Sequence, residues 1–202
     1  VSLVARYDGI SKLSDNRWGF FPGISAGWNV HEEAFFKDSK FAEVVSLIKP
    51  RISYGLNGNV NGIGNFDVYG KYGSVGAYNG NLGYLNTGVV NSKLRWEKSH
   101  TFELGLDLGF FNNRIHMIMD YYDRTTSDLL TDVNLPEYTG FPSFKTNLGT
   151  ISNRGFELEA KVNLLTRKDW SWDVTANTSF VKNMVKKLPF NGNVNNLSLI
   201  HI

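Results

Sequence analysis

The 202 residues contain no cysteine, which removes disulfide frameworks, thiolate nucleophiles and cysteine-based zinc sites while leaving the compartment open. No window approaches the ~18 consecutive apolar residues that a membrane-crossing helix needs, so helical membrane proteins are excluded as well. Neither sign of charge dominates. With 21 basic and 19 acidic residues the formal net charge is +2, which provides no electrostatic footprint for nucleic acid. No repeat occurs at the period of a solenoid or propeller. The chain opens on "VSLVARYDG", without Met or a charged leader, and its last residues, "NNLSLIHI", complete no pattern. It is therefore expected to be an internal piece of a longer protein whose signal peptide lies elsewhere.

What is present is alternation. In "FFNNRIHMIMDYYDR", residues 110–124, Ile115, Met117, Met119 and Tyr121 fall on one parity, and His116, Asp120, Tyr122 and Arg124 on the other. A period of two is the spacing of side chains on opposite faces of a strand; a helix would scatter these residues around its circumference. The preceding "TFELGLDLGF" sets Phe102, Leu104, Leu106, Leu108 and Phe110 against Thr101, Glu103, Asp107 and two glycines. Asn112 and Asn113 lie between the runs, and Asn tolerates the positive φ of tight turns, so the pair is read as a hairpin.

A soluble sandwich would also alternate, one face being core and the other solvent. The aromatics favour a different reading. Phe111 and Tyr121, Trp18 and Trp28, and Trp170 and Phe180 each bracket an apolar parity at a separation of ten residues. Ten residues tilted by ~45° rise roughly 23 Å, close to the ~25 Å apolar band and aromatic girdles of an outer-membrane barrel. The mean hydropathy of −0.25 is compatible, because barrels hide their apolar surface in alternation.

Seven strands are expected, over 1–9, 17–30, 48–57, 97–110, 114–125, 150–165 and 170–182. Pro50 sits on the apolar parity of the third, read as near its start, where a missing ladder donor is tolerable. Short connections follow strands four and six and long ones follow strands three and five; outer-membrane barrels keep short turns periplasmic and long loops outside. Up-and-down order then places 57–96 and 125–149 outside and "HEEAFFKDSKFAEVVS" in the periplasm. That last connection is expected to carry a short amphipathic helix with Phe36, Val44 and Leu47 inward.

The large outer connection is rich in Gly, Asn and Tyr. Glycines permit unusual turns, and a tyrosine offers a flat apolar ring with a polar tip, a composition suited to binding surfaces. Tyr69, Tyr72, Tyr78 and Tyr84, with Tyr138 and Phe141 of "YTGFPSF", are the candidate substrate-binding residues, able to stack on sugar rings or peptides. The alternative for each is packing within its own loop or against a partner.

Catalytic groupings find little support. His116 and Asp120 share a face, but two pleat repeats hold them ~13 Å apart, so they read as lining residues, as do Glu157 and Glu159. His31, His100 and His201 have no companion at ligand spacing, and no metal is assigned. "GNVNGIGN" lacks the Lys-Ser/Thr ending of a phosphate loop and is read as loop. No enzyme activity and no cofactor are expected.

Longer strings carry a resemblance. "NRWGFFPGISAGWNVHEEAFF", "RISYGLNGN" followed by "IGNF", "LRWEKSHTFELGLDLGFFNNRIHMIMDYYDRTTSDLL" and "GFPSFKTNLGTISNRGFELE" resemble, in order and spacing, the barrel of SusC/RagA-family TonB-linked outer membrane proteins. The likeness runs from about Arg6 to Lys187, with Ala34 standing where the pattern suggests Pro. It implies an all-β, antiparallel up-and-down transmembrane β-barrel of 22 strands, closed by an N-terminal plug, in the Gram-negative outer membrane. About seven of those strands would lie here, leaving a curved open sheet. Residues 1–190 would be partial barrel and 191–202 an unassigned, truncated end, with plug and signal peptide absent. The implied function is import of oligosaccharides or peptides with a SusD-like surface lipoprotein and the TonB complex, reached through the missing N-terminal region, amid outer-membrane lipid. A passive porin or small autonomous barrel is the alternative, and a soluble glycan-binding β-sandwich a third.

Overall fold

The computed structural model describes residues 1–70 and 72–188. Its strands are β1 (Ser2–Gly9), β2 (Trp18–Gly27), β3 (Val45–Asn59), β4 (Tyr72–Tyr78), β5 (Asn81–Asn86), β6 (Glu97–Phe110), β7 (Ile115–Ser127), β8 (Leu130–Asn134), β9 (Ser143–Asn147), β10 (Thr150–Arg167) and β11 (Trp170–Lys187). Seven of them form one sheet in the order β1-β2-β3-β6-β7-β10-β11, and each neighbouring pair is antiparallel. These are the seven expected strands, in the up-and-down order expected. The sheet is open, its outermost strands β1 and β11 bonded on one side only among the described residues.

Register decides which residues share a face. Ile52, Leu104, Tyr121, Phe156 and Phe180 form one row across five strands, and Ile48, Leu108, Met117, Ala160 and Ala176 form another. Between them runs a row of Pro50, Leu106, Met119, Leu158 and Thr178. One face is thus an apolar band, and the opposite parity carries the charges. A slip of one residue in any pair would move that strand's apolar set to the charged face, so the pattern specifies its own pairing.

The turn between β6 and β7 takes positive φ at Phe111 (53°), Asn112 (57°) and Asn113 (61°), the conformation that the two asparagines favour. Pro50 is placed differently from expectation. Strand β3 begins at Val45, so Pro50 is interior; it is tolerated because its ladder side faces the point where β2 has ended, its carbonyl accepting from Trp28 N–H at 3.1 Å.

The expected amphipathic helix before β3 is not formed as such. A single helical turn, α1 (Ala34–Lys37), lies between 3₁₀ turns at Val30–Glu32 and Lys40–Glu43. Phe36 is buried, as expected, but Val44 is 43% exposed and Leu47 belongs to β3. Asp38 and Ser39 interrupt the apolar spacing before a second turn can nucleate, and a helix this short gains its stability from packing alone.

The buried core lies at the long-loop end. Leu13 from the β1–β2 connection, Ile63 and Val68 from the segment after β3, and Leu94 and Trp96 from the segment before β6 close around Phe21. Phe21 lies on the otherwise polar parity of β2, its ring 5.3 Å from Trp96 in an edge-on arrangement. Trp96 Nε1 donates to Arg17 O at 3.2 Å, so its polar edge is satisfied inside the cluster.

Candidate functional site

Two surfaces can meet a solute: the polar face of the sheet and the outer loops. On the first, Arg51 of β3 reaches across β6. Its Nε and Nη2 donate to Asp107 Oδ1 at 3.0 and 2.9 Å, and Nη2 also donates to Asp120 Oδ1 of β7 at 3.0 Å. Gly105 makes the crossing possible, since a Cβ there would lie 2.6 Å from Asp120 Oδ1 and 2.7 Å from Arg51 Cζ. One cation thereby ties three strands together. Ser53 donates to Glu103 at 3.1 Å and Asn163 to Asp173 at 2.7 Å on the same face.

Shallow depressions open on this face. The larger, of about 630 Å³, is lined by Arg51, Glu103, Asp120, Tyr122, Arg124 and Glu157 among others. Glu157 and Glu159 line a second beside β11, in keeping with their reading as lining residues. His116 lies with Lys161 near the short-turn end, well away from Asp120's partners. Among the described residues no group of three or more His, Asp or Glu side chains is placed to hold a metal ion. His201 lies outside the described residues.

The second surface is built of loops stitched to one another. Buried Asn147 accepts from Arg95 N–H at 2.9 Å and donates to the carbonyls of Arg95 and Asp128, both at 2.8 Å. Arg95 in turn pairs with Asp128 at 2.7 Å; that carboxylate's hydrogen bond holds the guanidinium above its ordinary pKa, against the opposing effect of burial. Lys145 Nζ donates to Gly62 O at 2.6 Å and lies 3.5 Å from Asp67. Glu97 accepts from Asn59 and from Leu130 N–H, both at 2.7 Å. The connections 60–96 and 128–149 are therefore one platform. Replacing Asn147 by Ala leaves one part-buried N–H and two part-buried carbonyls without this partner, and is expected to loosen the platform locally by about 1 kcal/mol per unmet group. Faster protease cleavage within 60–96 on the full-length protein, with the wall strands intact, is the expected result.

The candidate tyrosines lie at the free margin of this platform. Strands β4 and β5 form a hairpin whose turn, Asn79-Gly80, has positive φ at both residues (48° and 78°), a type I′ signature. Tyr72 pairs with Asn86 and Tyr84 with Ser74, which brings Tyr72 and Tyr84 to one face; a bulge between Ser74 and Gly76 turns Tyr78 to the other. Tyr69 lies in the loop before β4, and Tyr138 stands 90% exposed in the turn Glu137–Thr139, with Phe141 just beyond. Tyr72 and Tyr84 share a face of the hairpin; among the described residues the others lie on its opposite face or on separate segments. Arg51 and Asn147, which organise the two surfaces, are not singled out by sequence. Gly105, on the polar parity opposite Arg51, is the available signal for the first.

Comparison with known proteins gives a consistent result. The family model described as TonB dependent receptor-like, beta-barrel, matches residues 1–198. TonB-dependent receptor P3 of Formosa agariphila is 38% identical over 192 residues, covering 93% of this chain and 19% of the relative. TonB-dependent receptor SusC of Bacteroides thetaiotaomicron is 37% identical over 196 residues, with 93% and 19% covered. The RagAB peptide importer in its closed-closed state superposes with a TM-score of 0.84 at 31% identity, covering 93% of this chain and 20% of that one. The chain spans about a fifth of the length of these relatives.

Proposed function

Because this chain belongs to the TonB dependent receptor-like β-barrel family, we propose that it is a section of the barrel wall of an outer-membrane importer that takes up oligosaccharides or peptides. The family is one of transporters rather than enzymes, and its members are proteins of the outer membrane. The observation that carries the reading is the register: it assembles a continuous apolar face for lipid and, behind it, a charged face cross-linked by Arg51. Such a face suits a wide aqueous lumen around a plug, in which many weak polar contacts pass a solute along. Energy arrives through TonB, and a SusD-like lipoprotein covers the outer mouth. The exposed rings of Tyr69, Tyr72, Tyr78, Tyr84 and Tyr138, and the half-buried ring of Phe141, offer stacking contacts to the incoming solute.

Peptide as cargo has the support of RagAB, described as a peptide importer. Oligosaccharide has that of the SusC/RagA resemblance. The test is uptake by cells carrying or lacking the full-length gene, given labelled peptides and labelled oligosaccharides, with and without a protonophore. One class is expected to enter only when the gene is present and the proton gradient intact. Uptake that survives the protonophore would instead establish a passive pore.

A further inference from the structure

On four adjacent wall strands the apolar run of the lipid-facing side ends in an aromatic ring at the outer end: Phe102 of β6, Tyr121 of β7, Phe156 of β10 and Phe180 of β11. Beyond those rings the same face turns basic. Arg154 and Lys182 are paired in register immediately beyond Phe156 and Phe180, Lys186 projects farther out on β11, and Lys98 lies beyond Phe102. Against these four cations stands one carboxylate, Asp123, which lies in the same row and binds Arg154 at 2.7 Å. Lys186 Nζ donates to Thr125 at 3.0 Å across the face, and Lys182 has no partner among the described residues. All four basic side chains are exposed.

Lys182 and Lys186 are two and six residues past Phe180, so on a strand tilted by ~45° they rise roughly 5 and 14 Å above the aromatic row. That is the headgroup layer, not the aqueous lumen and not the hydrocarbon. Solvent alone would not select cations over carboxylates there, whereas a phosphorylated surface does, since each cation at a membrane surface attracts anionic headgroups. A guanidinium fixed by Asp123 beside a free ammonium presents a forked donor next to a point charge, a pairing suited to one phosphate group.

We infer that Arg154, Lys182 and Lys186 form a lipid-phosphate site on the outer wall of the barrel, which holds the phosphorylated glycolipid of the outer leaflet against β10 and β11. The aromatic row below receives the first part of the acyl chains, and Asp123 keeps Arg154 oriented. The site rests on the outer-membrane reading but is independent of what the whole protein imports, because it faces away from the lumen.

The test uses the full-length protein purified in non-ionic detergent, with lipid binding followed by native mass spectrometry. The probes are bisphosphorylated lipid A, the same lipid after phosphatase treatment, and inorganic phosphate. Wild-type protein is expected to bind the bisphosphorylated lipid about 30-fold more tightly than does K182Q/K186Q, two surface cations at roughly fivefold each. R167Q/K168Q, which removes two charges at the opposite end, is expected to bind like wild type. Phosphatase treatment is expected to weaken binding to the wild type similarly, a comparison that requires no variant to fold. Equal binding of treated and untreated lipid would overturn the proposal, as would an unchanged affinity in K182Q/K186Q, or full competition by inorganic phosphate at lipid concentration.

Discussion

Met117→Arg or Val162→Arg is expected to destabilise the assembled barrel by ~2–4 kcal/mol, the depth-dependent penalty for a cation on the lipid face near the bilayer midplane. Met117 is flanked in register by Leu108 and Ala160, and Val162 by Ile115 and Val174, so neither new guanidinium would find an acceptor on its own face. At ~1.4 kcal/mol per decade the folded fraction relative to unfolded falls by about 30-fold to several hundredfold. Asn163→Ser and Asp120→Asn, on the opposite parity, are expected to be mild. Asn163 bonds Asp173 on the lumen side, and Arg51 keeps Asp107 when Asp120 loses its charge. Urea titration of the full-length protein in liposomes, read by heat-modifiable gel mobility, separates the two groups. Equal losses on both parities would reject the assignment of the lipid face.

The wall is legible in the sequence for the same physical reason. A strand between lipid and water has no choice of face, so Leu104, Leu106 and Leu108 against Glu103 and Asp107 state their orientation residue by residue. Strand β6 occupies the residues expected of it, 97–110, while β3 and β11 run past expectation, over Val45–Asn59 and Trp170–Lys187. The extensions carry mixed residues such as Ser46 and Lys186, where the wall leaves the hydrocarbon and alternation is no longer required. Pro50 departs from expectation for a related reason: a proline's cost depends on whether a neighbour needs its N–H, and that neighbour's end point is set by pairing, not by local pattern.

The outer platform is less legible because its order is not periodic. Strands β4, β5, β8 and β9 lie outside the expected set, although "YNGN" around Asn79-Gly80 is a strong hairpin signal between short runs. Phe21 is a second clue, an aromatic on the polar parity of β2 with no lumen role; its explanation requires Leu13, Ile63 and Trp96, separated from it along the chain and joined only by folding. Asn147 offers nothing locally, since a buried asparagine is recognised by three backbone partners that belong to other segments. The candidate tyrosines show the mixed result: composition finds the exposed rings, and the Ser74–Gly76 bulge, invisible to composition, decides that Tyr78 faces away from Tyr72 and Tyr84.

Residues 1–202 expressed alone are expected to form inclusion bodies or β-rich aggregates, with no soluble monomer. Seven strands cannot close a barrel of the diameter that about 22 strands define, so among the described residues β1 and β11 each offer a row of unpaired N–H and C=O groups. The face that the complete barrel would turn to lipid also stays bare: Phe20, Ile24, Ile52, Tyr54, Leu104 and Phe180 are each between 44% and 68% exposed. Water penalises a contiguous apolar patch of this kind, while a bilayer penalises the open edges, so neither solvent accepts the isolated sheet. The charged face gives no rescue, because Arg51, Asp107 and Asp120 satisfy one another without shielding the opposite side. Sedimentation, with and without detergent, and circular dichroism of the resuspended material read the outcome. A monodisperse, detergent-free monomer would show that the apolar rows are covered from within the fragment, and the lipid-facing assignment would fall with it.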